Sequence, residues 1–112
     1  MKIDNRDTAI GVTAARSFWA RLKGLLGRST LPSTEALLIV RCGSVHTIGM
    51  RFAIDVVFLN KHNTVLKVVE TLRPQRFAMC WGATSVLEMA GGVSQQIGLR
   101  EGAQLTFKGA AQ

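Results

Sequence analysis

The stretch from Cys42 to Asp55 concentrates side chains that can do chemistry: Cys42, Ser44, His46, Thr47, Met50, Arg51 and Asp55, punctuated by Gly43 and Gly49. Arginine offers a planar fork of donors to a carboxylate or phosphate, and histidine exchanges a proton near neutral pH. On that chemistry Arg51 is expected to clamp an anionic group, His46 to donate or accept a proton, and Asp55 to orient a cationic or hydroxyl group. Ser44 and Thr47 add hydrogen bonds, and Trp81, between Cys80 and Gly82, can wall the same pocket or sit at the edge of the core, the commoner place for an aromatic. The two glycines permit positive φ or close approach of a ligand, so the stretch reads as a tight loop feeding a strand that starts near Phe52. A second reading needs no ligand: Arg51 and Asp55 satisfy buried backbone groups, and His46 is a hydrogen-bonded core residue.

Metal chemistry fits less well. Cys42, His46 and Met50 recur every four residues and are soft ligands suited to Cu(I), but only a helix would bring them to one face. Gly43, Val45, Thr47, Ile48 and Gly49 argue against a helix there, so no metal and no other cofactor is expected. Cys42 and Cys80 fit neither CxxC nor a paired zinc spacing and are expected as free thiols, a pairing across the fold being the alternative. Glu88, between Leu87 and Met89, is expected on a solvated strand face, and His62 in a solvated turn.

The elements that must position these groups follow from periodicity. Thr8 to Val12 is β-prone, and Thr13 can cap a helix whose apolar stripe is Phe18, Trp19, Leu22, Leu25 and Leu26, closed by Gly27. Leu31-Pro32-Ser33 turns the chain into a buried-strand pattern from Ala36 to Arg41. From Phe52 to Leu59 two faces alternate, with Phe52, Ile54, Val56 and Phe58 as the core face. Asn60 to Asn63 is a turn and Val65 to Thr71 the returning strand of a hairpin. Ser85 to Met89 reads as a strand, Gly91-Gly92 as a break, Val93 to Ile97 as a short helix stopped by Gly98, and Gln104 to Lys108 as a last strand. The expected fold is mainly β (α+β), a small antiparallel β barrel or sandwich with one prominent N-terminal amphipathic helix and a short C-terminal helical turn. At 112 residues it is expected to form a single domain spanning 1–112.

The residues also carry a family resemblance. Cys42 through Leu59 resembles the signature of the bacterial and archaeal domain-of-unknown-function 192 family. Gly24-Leu25-Leu26-Gly27-Arg28 with Leu31-Pro32 resembles its N-terminal segment, and Val86 through Gly92 with Gly98 through Gly102 its C-terminal one. Ala53 stands where members commonly have proline, a departure that bears on strand entry more than on chemistry. The resemblance implies a mostly β fold with one prominent helix and no established activity.

Charge narrows the functional classes. Fourteen Lys and Arg against seven Asp and Glu give +7, which points to anionic partners. The excess is uneven. Residues 8 to 34 carry Arg16, Arg21, Lys23 and Arg28 without an acid, and Thr71 to Leu87 carries Arg73 and Arg76 without one. With no Tyr, and with Phe and Trp mainly on predicted core faces, the sequence lacks the interleaved aromatics of a nucleic-acid module. Its longest apolar run, Ala36 to Val40, is far short of a span of about 20 residues. No secretory signal pattern opens the chain, so the cytoplasm is the expected compartment.

Three functions compete. The first is a small binding module whose polar pocket takes an anionic small molecule or an acidic partner segment. The second is a hydrolase- or lyase-type enzyme using His46 as acid or base with Asp55 in support. The third is a nucleic-acid accessory protein using the basic outer face of the expected N-terminal helix, where Arg16, Lys23 and Arg28 fall away from the apolar stripe.

Overall fold

The computed structural model describes residues 1–15 and 31–107. Ten strands and one short helix make up the described chain: β1 (Lys2–Ile3), β2 (Arg6–Asp7), β3 (Gly11–Ala15), β4 (Glu35–Val40), β5 (Ser44–His46), β6 (Ile54–Leu59), β7 (Val65–Leu72), β8 (Phe77–Met79), β9 (Ser85–Ala90), α1 (Val93–Gln96) and β10 (Leu105–Thr106). Every residue of β6 is buried, and β9 is buried from Ser85 to Met89. Strands apolar on both faces must be covered on both, and these two occupy the middle of a five-stranded sheet ordered β3-β4-β9-β6-β7.

Pleating divides the core in two. Val57, Leu59, Leu87 and Met89 project to one side, where they pack with Ile3, Leu105, Val93 and Phe107. Ile54, Val56, Phe58 and Val86 project to the other, against Leu31, Val45, Met50 and Ala78. Phe58, Leu59, Leu87 and Met89 are fully buried, each worth about 1.5–3 kcal/mol relative to exposure. The first side is closed by α1 and by a small sheet in which β1 lies between β2 and β10. A two-stranded ribbon, β5 with β8, closes the second.

Three fold expectations need correction. The main sheet ends in β3 and β7 and does not close into a barrel, and β3 runs parallel to β4 where only antiparallel pairing was expected. A parallel neighbour needs a crossover connection, and this one passes through residues outside the described set. Thr13 is not a helix cap but the middle of β3, opposite Leu37. The remainder of the expected N-terminal helix lies outside the described residues. Among the described residues, no helix is long and apolar enough to cross a membrane.

The β6–β7 hairpin contains an irregularity that bears on Asp55. Ile54 pairs with Leu72 and Val56 with Val69, so Asp55 faces two residues, Glu70 and Thr71, across a bulge. Thr71 takes a positive φ of 52°, uncommon for a β-branched residue, and its N–H donates to Asp55 Oδ1 at 2.8 Å.

Candidate functional site

The reactive stretch from Cys42 to Arg51 forms β5 and the turn that follows it. Alternation sends Val45 inward and leaves Ser44 and His46 on the outer side, opposite Met79 and Phe77 of β8. Thr47 N–H donates to Arg76 carbonyl oxygen, and Met50 N–H to Thr47 carbonyl oxygen, closing a turn in which Gly49 adopts φ 85°. That conformation is cheap only for glycine, and it places Ile48 at the exposed corner. The far end of the ribbon repeats the arrangement. Ala83 N–H donates to Cys80 carbonyl oxygen, Gly82 takes φ 83°, and Trp81 occupies the exposed corner.

The seven candidate residues do not converge on one cavity. Ser44, Arg51 and Trp81 are exposed, and His46 is half-buried. Met50 is buried among the apolar residues beneath the ribbon. Thr47 is fully buried, and its hydroxyl donates to Arg73 carbonyl oxygen at 2.5 Å and accepts from Arg76 N–H at 2.8 Å. It therefore takes the place of the missing bond across the Arg73-Pro74-Gln75-Arg76 turn, and so fixes where Arg73 and Arg76 emerge. His46 Nδ1 accepts from Ile48 N–H at 3.3 Å, which in the neutral ring leaves the proton on Nε2. Arg51 makes no hydrogen bond or ion pair with the described residues. Trp81, expected to wall a pocket or to edge a core, stands almost wholly in solvent.

Asp55 lies elsewhere. On β6 it shares a side with Val57 and Leu59, so the sheet separates it from His46 and Arg51. Its carboxylate is fully buried and accepts from Thr71 N–H, Gly92 N–H, Ser94 N–H and Ser94 Oγ, the last at 2.6 Å. These bonds tie the β7 bulge to the start of α1, where Gly92 has φ 90°. The expectation that Asp55 supports His46 is thus corrected: the two are on opposite faces.

Glu88 reverses its expected place as well. It is fully buried rather than solvated, because both faces of β9 are covered. Cross-strand neighbours Leu37 and Val56 flank it, and Val56 places it on the ribbon side. The signal was present in sequence: Val86, Leu87, Met89 and Ala90 leave no polar alternation around it.

Cys42 and Cys80 are half-buried free thiols against the same apolar cluster. Cys42 Sγ donates to Ser44 carbonyl oxygen at 2.9 Å. Among the described residues, no group of three His, Cys, Asp or Glu side chains is placed to hold a metal ion. A cavity of about 330 Å³ is lined by Met1, Lys2, Asp7 and Thr106 on the terminal sheet, and none of the seven candidates reaches it.

The electrostatics of the ribbon come from two chain segments. Residues 36–54 contain Arg41 and Arg51 and no acid, and residues 71–87 contain Arg73 and Arg76 and no acid. Pairing of β5 with β8 brings these segments together. All four arginines are exposed, and Lys67 Nζ donates to Met79 carbonyl oxygen at 3.3 Å on the ribbon's edge.

The class that the fold defines is a small, mainly β protein, and comparison with known families places the chain more closely. Residues 1–107 match the domain-of-unknown-function 192 family, DUF192, described as "Uncharacterized ACR", and the chain belongs to that family. Two crystal structures share the fold. One is a protein of unknown function from Novosphingobium aromaticivorans, 21% identical, with a TM-score of 0.76 over 86% of this chain and 74% of that one. The other is a "putative transcription regulator" from Sinorhizobium meliloti, 20% identical, with a TM-score of 0.76 over 85% of this chain and 79% of that one. No curated protein matches the chain in sequence.

Proposed function

We propose that this protein is a binding module for an anionic ligand, held on the exposed side of the β5–β8 ribbon, with Arg51, Arg73 and Arg76 as its charged grip. The observation that carries the reading is the junction of two acid-free segments, which sets four exposed arginines around one small ribbon. Exposed guanidinium groups on segments that carry no acid of their own attract anions and bind their oxygens bidentately. Ser44 and His46 supply hydrogen-bonding groups on the same face, while Thr47 and Met50 hold the turns from beneath. An enzymatic reading loses its supporting carboxylate, because Asp55 is committed to four donors across the sheet.

Thermal-shift titration with inorganic phosphate, citrate and polyglutamate tests this. A doubly substituted Arg51→Gln, Arg76→Gln chain is compared with a Lys2→Gln, Lys61→Gln chain that loses the same charge away from the ribbon. The arginine variant is expected to lose most of the polyanion-induced shift, about 0.5–1 kcal/mol of binding per exposed cation, and the lysine variant to keep it. Equal responses from both variants would refute the reading.

A further inference from the structure

We infer that the anionic ligand is an acidic segment of another protein, bound extended along the outer side of β8; this rests on the ribbon being the anion-binding surface. Along β8 and the turn after it, Ala78 and Cys80 pack inward, whereas Phe77, Met79 and Trp81 project outward with exposures of 63%, 45% and 90%. Such alternate positions repeat at about 7 Å, the same interval at which an extended peptide presents side chains to one face. Ile48, 62% exposed, lies at the other turn corner of the ribbon. Among the described residues these four are the exposed large hydrophobic side chains, and all belong to one ribbon and its turns. The placement is built in, since Gly49 and Gly82 each use a left-handed conformation to hold Ile48 and Trp81 at the corners.

The chemistry beside the row selects the occupant. Ser44 stands opposite Met79 and His46 opposite Phe77, so a polar column runs alongside the apolar one. Burial in lipid hydrocarbon would strip those polar groups of water without replacing their hydrogen bonds, whereas a polypeptide backbone can satisfy them. Met79 interrupts the two aromatics, so the row is no continuous stacking platform for bases. Arg41 and Arg51 bracket β5 in the chain, Arg73 and Arg76 precede β8, and Lys67 bonds the Met79 carbonyl oxygen of β8, so the complement of this ribbon's charge is a carboxylate-bearing chain. Aromatic, methionine and arginine side chains are also the types enriched where proteins meet proteins.

The test uses the full chain and fluorescence anisotropy of a short labelled peptide in which glutamate alternates with leucine and phenylalanine. Comparators are polyglutamate of equal charge, oligodeoxythymidylate, and vesicles of phosphatidylglycerol with phosphatidylcholine. The alternating peptide is expected to bind at least tenfold more tightly than polyglutamate. Trp81→Ala and Phe77→Ala should each weaken the peptide at least fivefold while leaving polyglutamate binding and the thermal midpoint unchanged, since both side chains are exposed. Equal binding of peptide and polyglutamate, insensitive to Trp81→Ala, overturns this inference and leaves the anion reading standing. Tighter, Trp81-dependent binding of the oligonucleotide or the vesicles also overturns it. Absence of binding to any anionic probe removes both.

Discussion

Asp55 and Glu88 both lie in the interior, where a site residue and a solvated strand residue were expected. Asp55 sits between Ile54 and Val56 on a wholly buried strand, and its carboxylate accepts from backbone donors that the β7 bulge and the start of α1 would otherwise bury unpaired. Removing it leaves several donors without a partner. Asp55→Ala is therefore expected to cost about 3 kcal/mol or more, read as a fall of more than about 10 °C in the calorimetric midpoint. Asp55→Asn keeps one acceptor but turns an amide NH2 toward the same donors, and should be intermediate. A residue binding an external ligand would behave otherwise, with its loss leaving the midpoint almost unchanged.

Strands and turns were legible in the sequence wherever the side-chain pattern reports directly on the backbone. The β6–β7 hairpin, β9, and the Gly92 and Gly98 boundaries of α1 fall where periodicity and glycine place them. What periodicity does not encode is which neighbour covers a face. The apolar flanks of Asp55 and Glu88 therefore signalled strands buried on both sides without saying what covers each side, and they carried no sign of the parallel β3–β4 pair. The pairing of Ser44 with Met79 and His46 with Phe77 joins segments some 30 residues apart, so the apolar row could not be assembled from either segment alone. The Thr71 bulge was also hidden, because threonine is a poor marker of left-handed backbone. Asparagine tolerates that conformation better and would keep the N–H that Asp55 accepts. Thr71→Asn is accordingly expected to raise stability by about 0.5–1 kcal/mol in urea titrations, and an unchanged or lower midpoint would contradict the account of the bulge.

At the scale of the whole molecule, the response to acid includes two carboxylates of the terminal sheet, Asp4 and Asp7. Asp4 is held below the ordinary carboxylate range, first by the Gln104 N–H and then by the Arg100 guanidinium, which pairs with it at 3.2 Å. Asp7 is lowered first by the Ala9 N–H, and also by the Met1 ammonium and Lys2. Protons bind these groups more tightly in the unfolded chain. Their stabilisation is thus complete above the unfolded value of about 3.9 and is lost as pH falls through the lower native values. Denaturation midpoints are expected to decline below about pH 4 for the native chain, and Asp4→Asn should flatten that decline. A variant following the native curve throughout would remove Asp4 from the explanation.

The pairing of β1 with β10, Lys2 opposite Thr106, also sets an order of events during synthesis. The first strand leaves the ribosome long before its partner exists, and closing so long a loop carries an entropic cost that local turns escape. Until residue 106 emerges, β1 has an open edge and Ile3 lacks the Leu105 side of its packing. Folding is therefore expected on the millisecond-to-second scale of non-local β proteins, with the terminal sheet completed only after translation has passed residue 106.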